Sequence, residues 1–209
     1  MSFVHRRNIF VLAAGAAITL VGLGLPVASR QAAAEQSSAA EFIQRTAGRV
    51  LDLVLTQTGA AREAGIMRVL ESDFDMTYMA RVALGKHWDQ ATPAQRERFL
   101  KVAASAEAHT YARRFGQYGG QKLTVDRSAP RARGDGVSIV NSTLTQTDAE
   151  PIAIQWEVYS GGQGPRIVDV RIEGVSMQVT RRADYNSFIQ AHGGDVEPLI
   201  AELEARAKR

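Results

Sequence analysis

The change of hydrophobic period at Lys122 constrains the fold of this chain more than any other feature of its sequence. Before this residue, apolar side chains recur at helical spacing; after it, they recur at every second position, as in strands with one buried face. Strands are predicted at residues 122–132, 136–146, 151–160 and 166–173. The segments between them are too short for the crossover that parallel strands need, so the sequence predicts an antiparallel meander of four strands.

The last two predicted strands have one apolar and one polar face. The apolar face carries Ile152, Ile154, Trp156 and Val158 from one strand and Val168, Val170 and Ile172 from the next. The opposite face carries Gln155, Glu157, Tyr159, Asp169 and Arg171, and we expect it to face water. The apolar face needs a cover, which helices alone or helices together with a guest molecule could supply.

Helices are predicted on both sides of the sheet in chain order. Thr92-Pro93-Ala94-Gln95 combines a capping threonine, a proline at the first helical position and a glutamine three residues after the cap, so a long helix should begin there. The face of an earlier helix is marked by residues from Met76 to His87, and Asp73 or Asp75 could cap it.

Two more helices, at residues 183–192 and 195–208, close the predicted chain. The order of helices, meander and helices predicts an α+β fold, with the sheet wrapped by the N-terminal and C-terminal helices.

The N-terminus is typical of an export signal. Arg6 and Arg7 form a basic head, residues 9–28 are uncharged, and the small residues Ala32-Ala33-Ala34 suit a signal peptidase. We therefore expect residues 1–34 to be a signal peptide and residues 35–209 to be a single domain, with the Ala/Ser-rich stretch at 32–40 disordered around the new N-terminus. A retained membrane anchor is the alternative, and either a general or a twin-arginine export route fits the sequence.

The charge and cysteine content exclude several function classes. The predicted signal contains three arginines and no acid, so 22 of the 25 basic residues and all 22 acidic residues remain in the mature chain. Its arginines are spread among acids, which argues against nucleic-acid binding. Cysteine is absent, so disulfides, thiolate metal sites and cysteine nucleophiles are absent as well.

The sequence offers little catalytic chemistry. His87, His109 and His192 are too far apart in sequence to form a local metal motif, and no nucleophile elbow, zinc-protease motif or phosphate-binding glycine loop is present. A lipid-ester hydrolase would need a nucleophile beside a base, for which Ser176 near His192 or His109 is the candidate. No catalytic residue, metal or cofactor is therefore predicted.

Three segments carry a resemblance to a known family: FDMTYMARVALGKHWDQATPAQRERFLKVAASAEAHTYARRF (74–115), VDVRIEGVSM (168–177) and YNSFIQAHGGDVEPLIAEL (185–203). Together they resemble the MlaC or toluene-tolerance family of periplasmic lipid carriers. Its most specific matches are Phe74-Asp75, Leu84-Gly85-Lys86 with Trp88, Thr92-Pro93-x-Gln95-Arg96 and Ile172-Glu-Gly-Val-Ser176.

The resemblance implies a soluble periplasmic shuttle and not an enzyme. Such a protein would carry phospholipid between an outer-membrane lipoprotein complex and an inner-membrane ABC transporter complex, with transient membrane contact and as a monomer. The chain has Thr180-Arg181-Arg182 where the phospholipid carriers usually have Asn-Tyr-Arg, and this is similar to the hopanoid-associated branch called HpnM. A hopanoid ligand is therefore an alternative, and Arg182 would meet a headgroup at the cavity mouth.

The energetics of lipid transfer fit such a carrier. A two-chain lipid has about thirty methylenes, each worth about 0.8 kcal/mol when removed from water, so crossing an aqueous compartment unaided costs on the order of 25 kcal/mol. We expect the lipid to lie in an apolar cavity between the sheet and the helices. Its lining would be the seven apolar strand residues named above together with Met76, Met79 and Leu84 from the helices opposite. A periplasmic adaptor with a filled core, and hence a cavity below about 300 Å³, is the remaining alternative.

Overall fold

The computed structural model describes residues 27–130, 135–146 and 149–207, with side chains from residue 38 onward and not at 127–130. The helices are α1 (Val27–Thr56), α2 (Gly59–Asp73), α3 (Met76–Leu84), α4 (Lys86–Gln90), α5 (Pro93–Phe115), α6 (Met177–Ala191) and α7 (Glu197–Arg206). The strands are β1 (Lys122–Pro130), β2 (Val137–Thr145), β3 (Ile152–Gly161), β4 (Gly164–Ile172) and β5 (Val175–Ser176). The predicted α+β fold is confirmed.

The sheet is an antiparallel meander in the order β1-β2-β3-β4-β5, so it has five strands and not four. The added strand is only two residues long and pairs with Arg171 and Ile172. A turn at Glu173 and Gly174, with φ of 50° and 78°, reverses the chain into it. Two residues are too few to show a period of two, which is why the sequence pattern did not reveal this strand.

A β-bulge in β4 corrects the predicted face of that strand. Glu157 pairs with Asp169, but Val158 pairs with Ile167, so Val168 is an extra residue between them. Ile167 is fully buried and occupies the position beside Val158 that the alternation assigned to Val168. A bulge shifts the alternation by one residue, so a strict period of two fails at this point.

The predicted polar face is not uniformly wet. Glu157 and Asp169 are 7% and 6% exposed, because the end of the sheet and the start of α6 cover them. The Asp169 carboxylate accepts hydrogen bonds from the Ser176 hydroxyl at 2.6 Å and from the Gln178 backbone amide at 3.1 Å. Arg171 Nε lies 3.1 Å from Glu157 Oε1. Each buried carboxylate thus has polar partners, as burial of a charge requires.

The helix predictions are confirmed in kind and corrected at their boundaries. The Thr92 hydroxyl accepts from the Gln95 amide at 3.2 Å, and the Gln95 side chain accepts from the Thr92 amide at 3.0 Å, which completes the predicted capping box of α5. The helix predicted to include His87 ends at Leu84, because Gly85 with φ of 55° breaks it before α4. The helix predicted from residue 183 begins at Met177, since the Ser176 hydroxyl caps it.

The N-terminal predictions lie partly outside the described residues. Residues 1–26 of the predicted signal, with most of the segment considered as an anchor, belong to the part that the structure does not describe. The stretch at 32–40, predicted to be disordered, is helical and belongs to α1. Among the residues that the structure does describe, no helix is both long and apolar enough to span a membrane.

Three clusters of buried side chains hold the layers together. One lies between α1 and the sheet and contains Ala39, Phe42, Ile43, Val140, Val158 and Ile167. The second joins α3, α5, α6 and α7 around Phe99, Leu84, Ile189 and Ile200, and the third joins α2 to α5 through Ile66, Leu70 and Ala108. The apolar sheet face is therefore covered mainly by α1, and the other helices pack beside the hairpin of β3 and β4.

Candidate functional site

A cleft of about 750 Å³ lies between the junction of α2 and α3, helix α5 and the hairpin of β3 and β4. Its wall is largely apolar and is formed by Met67, Phe74, Met76, Leu100 and Ala104. The hairpin contributes Tyr159 and residues 161–164. Charged side chains at Glu71, Asp75, Lys101 and Arg166 also line it. The cleft thus combines an apolar wall with positively and negatively charged side chains.

A smaller pocket of about 80 Å³ adjoins the cleft, since Phe74, Met76 and Leu100 line both spaces. We call it the inner pocket. Its apolar lining includes Leu70, Met79, Ala80, Ala83, Phe99, Ala103, Val170 and Met177. Its polar lining comes from α5 and α6 and consists of Glu107, Tyr111, Gln178, Arg181 and Tyr185.

Hydrogen bonds hold the junction of α2 and α3, which borders both spaces, against β4. The amide of Asp75 donates to the carbonyl of Ile167 at 2.9 Å, and Phe74 forms an isolated parallel bridge with the same residue. Arg166 donates from β4 to the carbonyl of Ser72 at the end of α2. The helix layer is therefore tied to the sheet through the backbone at one edge, and the cleft opens beside this junction.

The polar end of the inner pocket contains an ion pair. Arg181 Nη2 lies 2.6 Å from Glu107 Oε1, and the Arg181 guanidinium lies 5.8 Å from the centre of the Tyr185 ring. Burial raises the pKa of Glu107 above its usual range, although the charge of Arg181 and its hydrogen bond act in the opposite direction. Burial also raises the pKa of the Tyr111 and Tyr185 hydroxyls, with a further contribution from the charge of Glu107. Both tyrosines therefore remain neutral at physiological pH.

With this geometry in place, comparison with known proteins identifies the family. The family model described as MlaC protein matches residues 44–205, which is more than half of the chain. The chain belongs to the MlaC family. The resemblance inferred from the sequence is thereby confirmed, while the HpnM branch stays a prediction.

A solved structure shares the fold of this MlaC-family chain. It is a phospholipid-binding protein from Ralstonia solanacearum in complex with a phospholipid, with a TM-score of 0.67 and 22% sequence identity. The alignment covers 82% of this chain and 97% of that one. At this identity the likeness shows a common fold and carries no statement about individual side chains.

Three of the side chains predicted to line a lipid site in this MlaC-family chain border the two cavities. Met76 lines both spaces, and Met79 and Val170 line the inner pocket. Leu84 is 2% exposed and belongs instead to the helical core. Arg182 lines neither space, and its Nε would lie 2.9 Å from a Cβ placed on Gly85.

The remaining six predicted strand residues line neither cavity: Ile152, Ile154, Trp156, Val158, Val168 and Ile172. Trp156 and Val158 pack in the cluster that α1 covers, and the indole Nε1 of Trp156 donates to the Ser142 hydroxyl at 2.8 Å. Ile154 pairs with Ile172 in the sheet register. The geometry moves the candidate site from the face of the sheet to the tip of its hairpin.

Sequence reasoning missed several of the residues that line the cleft. Met67, Leu100 and Ala104 belong to helices α2 and α5, and their helical period indicates a buried face without indicating a hollow beside it. The segment Gly161-Gly162-Gln163-Gly164 was recognisable from the sequence only as a flexible loop. Its placement beside Tyr159 and opposite α5 depends on the tertiary fold, for which the sequence carried no local signal.

The hydrolase arrangement considered from the sequence is not assembled. The Ser176 hydroxyl donates to Asp169 and accepts from the Val179 amide at 3.1 Å, so the strand network and the cap of α6 occupy it. His192 Nδ1 lies 2.8 Å from the carbonyl of Phe188, and His109 Nδ1 lies 3.1 Å from Glu63. Within the described part of the chain, neither histidine is hydrogen-bonded to Ser176, which counts against a hydrolase.

Proposed function

We propose that this protein is a lipid carrier that holds a phospholipid in the cleft between the α2–α3 junction, α5 and the hairpin of β3 and β4. The observation that carries the proposal is the cleft itself, an open space of about 750 Å³ whose wall is largely apolar. This volume lies within the range of about 300–1,000 Å³ that is usual for small-molecule sites. Membership of the MlaC family and the shared fold with a phospholipid-binding protein support the same function.

The chemistry of the cleft suits an amphiphile. Met67, Met76 and Leu100 offer flexible or branched apolar surface to hydrocarbon, and methionine adapts readily to ligands of different shape. Lys101 and Arg166 provide cationic groups and Glu71 and Asp75 provide carboxylates around the same cleft, so a zwitterionic headgroup would find partners of both signs. The acyl chains would leave one apolar environment for another, which keeps the net transfer free energy small enough for loading and release.

The proposed setting is the periplasm, because the N-terminal segment is typical of an export signal. We infer that the protein moves phospholipid between the outer membrane and an inner-membrane ABC transporter complex, and that it acts as a binding protein and not as an enzyme. A hopanoid is the alternative ligand, favoured by Thr180-Arg181-Arg182. The adaptor alternative required a cavity below about 300 Å³, and the cleft exceeds this.

Lipid identification tests the proposal. Protein purified from a membrane-containing bacterial host should carry lipid in native mass spectrometry and should extract phospholipid from vesicles. Ala104→Phe, at a buried cleft residue, should reduce extraction by filling the space, whereas Ala94→Phe, at an exposed position on the same helix, should not. Wild-type protein that is consistently lipid-free and extracts nothing would refute the proposal, and a hopanoid in the spectrum would decide for the alternative.

A further inference from the structure

The polar end of the inner pocket contains a tyrosine hydroxyl that has no hydrogen-bond partner among the described residues. Tyr185 is 5% exposed and packs edge-on against Phe99, with ring centres 5.7 Å apart. Within the residues that the structure describes, its hydroxyl makes no hydrogen bond. The Tyr185 hydroxyl does not belong to the side-chain atoms that are both fully enclosed and unpaired, since His109 Nε2 is the one such atom among the described residues. The Tyr185 hydroxyl is therefore not fully enclosed, and the Tyr185 side chain lines the inner pocket.

Tyr111 provides a second hydroxyl of the same kind. It lines the inner pocket from α5, its ring stacks on Phe115 at 6.0 Å, and its hydroxyl makes no hydrogen bond within the described part of the chain. Buried phenol groups normally find a partner, because leaving one unpaired costs free energy. Tyr111 is partly buried, so two phenol groups without a protein partner line one small pocket, and a polar group that enters this pocket can pair with both.

The charges around these hydroxyls already neutralise one another. Glu107 and Arg181 form a direct ion pair at 2.6 Å, and Arg181 also lies 3.8 Å from Asp184. An anionic group would have to compete with Glu107 for Arg181, and a cationic group would have to compete with Arg181 for Glu107. A charged group would also lose its hydration in a pocket whose remaining lining is mostly apolar. An uncharged polar group avoids both costs.

We infer that the inner pocket binds an uncharged hydroxyl group carried by the lipid ligand, and that Tyr185 and Tyr111 are the residues that recognise it. An alcohol can donate one hydrogen bond and accept another, which matches phenol groups that can do the same. The volume of about 80 Å³ leaves room for a few non-hydrogen atoms, since a cavity of roughly 10–15 Å³ already admits one water molecule.

This inference rests on the proposed lipid-binding function and narrows its ligand class. The inner pocket adjoins the cleft through Phe74, Met76 and Leu100, so the end of the ligand that penetrates deepest would reach the two tyrosines. A plain acyl tail ends in a methyl group and would leave both hydroxyls unpaired. A lipid whose inner end carries a hydroxyl would satisfy them, so the structure favours a hydroxylated amphiphile over one with two plain chains.

Paired ligands and paired variants test the inference. The probes are 1-decanol and n-decane, each supplied from a cyclodextrin stock to delipidated protein, with affinity measured by displacement of a fluorescent apolar dye. Tyr185→Phe should weaken 1-decanol binding about fivefold, the value of one neutral hydrogen bond, and should leave n-decane binding unchanged. Tyr118→Phe is the matched control, because its hydroxyl bonds to the carbonyl of Gln121 outside both cavities.

The outcomes separate this inference from the proposed function. If Tyr185→Phe lowers the affinity for 1-decanol and n-decane equally, the tyrosine only packs against the ligand. If neither affinity changes, the tyrosine does not contact the ligand. Either result overturns the inference. Tyr111→Phe should reproduce the selective loss and keeps the test valid if Tyr185→Phe folds poorly. Wild-type protein that binds neither probe and extracts no phospholipid would instead refute the lipid-binding function itself.

Discussion

Replacing Asp73 by alanine should lower the free energy of unfolding by about 2–3 kcal/mol. Asp73 ends α2, is 3% exposed and accepts hydrogen bonds from Thr46 and Arg49 of α1 and from Ser72 at 2.7 Å. The largest cost comes from Thr46, which is 4% exposed and would keep a buried hydroxyl without its partner, a loss of about 1–3 kcal/mol. Arg49 is about half-exposed and can turn to water, so its lost ion pair adds at most about 1 kcal/mol.

A double-mutant cycle measured by urea unfolding checks this magnitude, with tryptophan fluorescence as the signal. Thr46→Val alone should cost about 1 kcal/mol, and the double variant should cost about 1 kcal/mol less than the sum of the single variants, because no hydroxyl is left unpaired. Ser72→Ala is the control and should cost under about 0.5 kcal/mol, since this side chain is exposed. An Asp73→Ala cost below about 1 kcal/mol with additive single variants would refute the reasoning.

Three further predictions concern the same scaffold. Thr92→Ala removes the cap of α5 and should lower the unfolding free energy by about 1 kcal/mol in the same urea assay. Gly85→Ala should lower the melting temperature more than Gly174→Ala, because both positions have positive φ but only at Gly85 would the new Cβ lie within 3 Å of the Arg182 side chain. Burial raises the pKa of Asp73, but hydrogen bonds from Arg49, Thr46 and Ser72 outweigh this and hold it below its usual 3.8. The ionised Asp73 carboxylate should therefore contribute its full stabilisation above pH 3.8 and lose it as the pH falls through the lower pKa of the folded state. In acid unfolding curves, Asp73→Ala should not show this loss of stability.

The sequence predicted those parts of the fold that depend on interactions between residues close together in the chain. Thr92 and Gln95 form the capping box because both partners lie within one helical turn, and the meander follows from turns too short for any crossover. The bulge at Val168 was not predictable, because it depends on which residue of β3 each residue of β4 meets. The burial of Glu157 and Asp169 depends likewise on where α6 begins.

Three of the predicted lining residues border a cavity: Met76 and Met79 on α3 and Val170 on β4. Met76 and Met79 lie on a short helix whose apolar face reaches the hollow, so their period and their proximity to the site agree. The other strand residues were assigned to the site because their face is apolar, but α1 packs on that face around Val158 and Trp156. Apolarity identifies a surface that must be covered, and the identity of the cover is decided by contacts between residues distant in the chain.

The backbone bond from Asp75 to the carbonyl of Ile167 has a consequence for cargo selection. Because main-chain groups make this contact, it does not require a particular side chain at Asp75 or Ile167, and substitutions at Phe74 or Met76 would reshape the lining of both cavities while the backbone bond remains. Related carriers could thus diverge in the molecules they accept by exchanging a few side chains on an otherwise invariant scaffold.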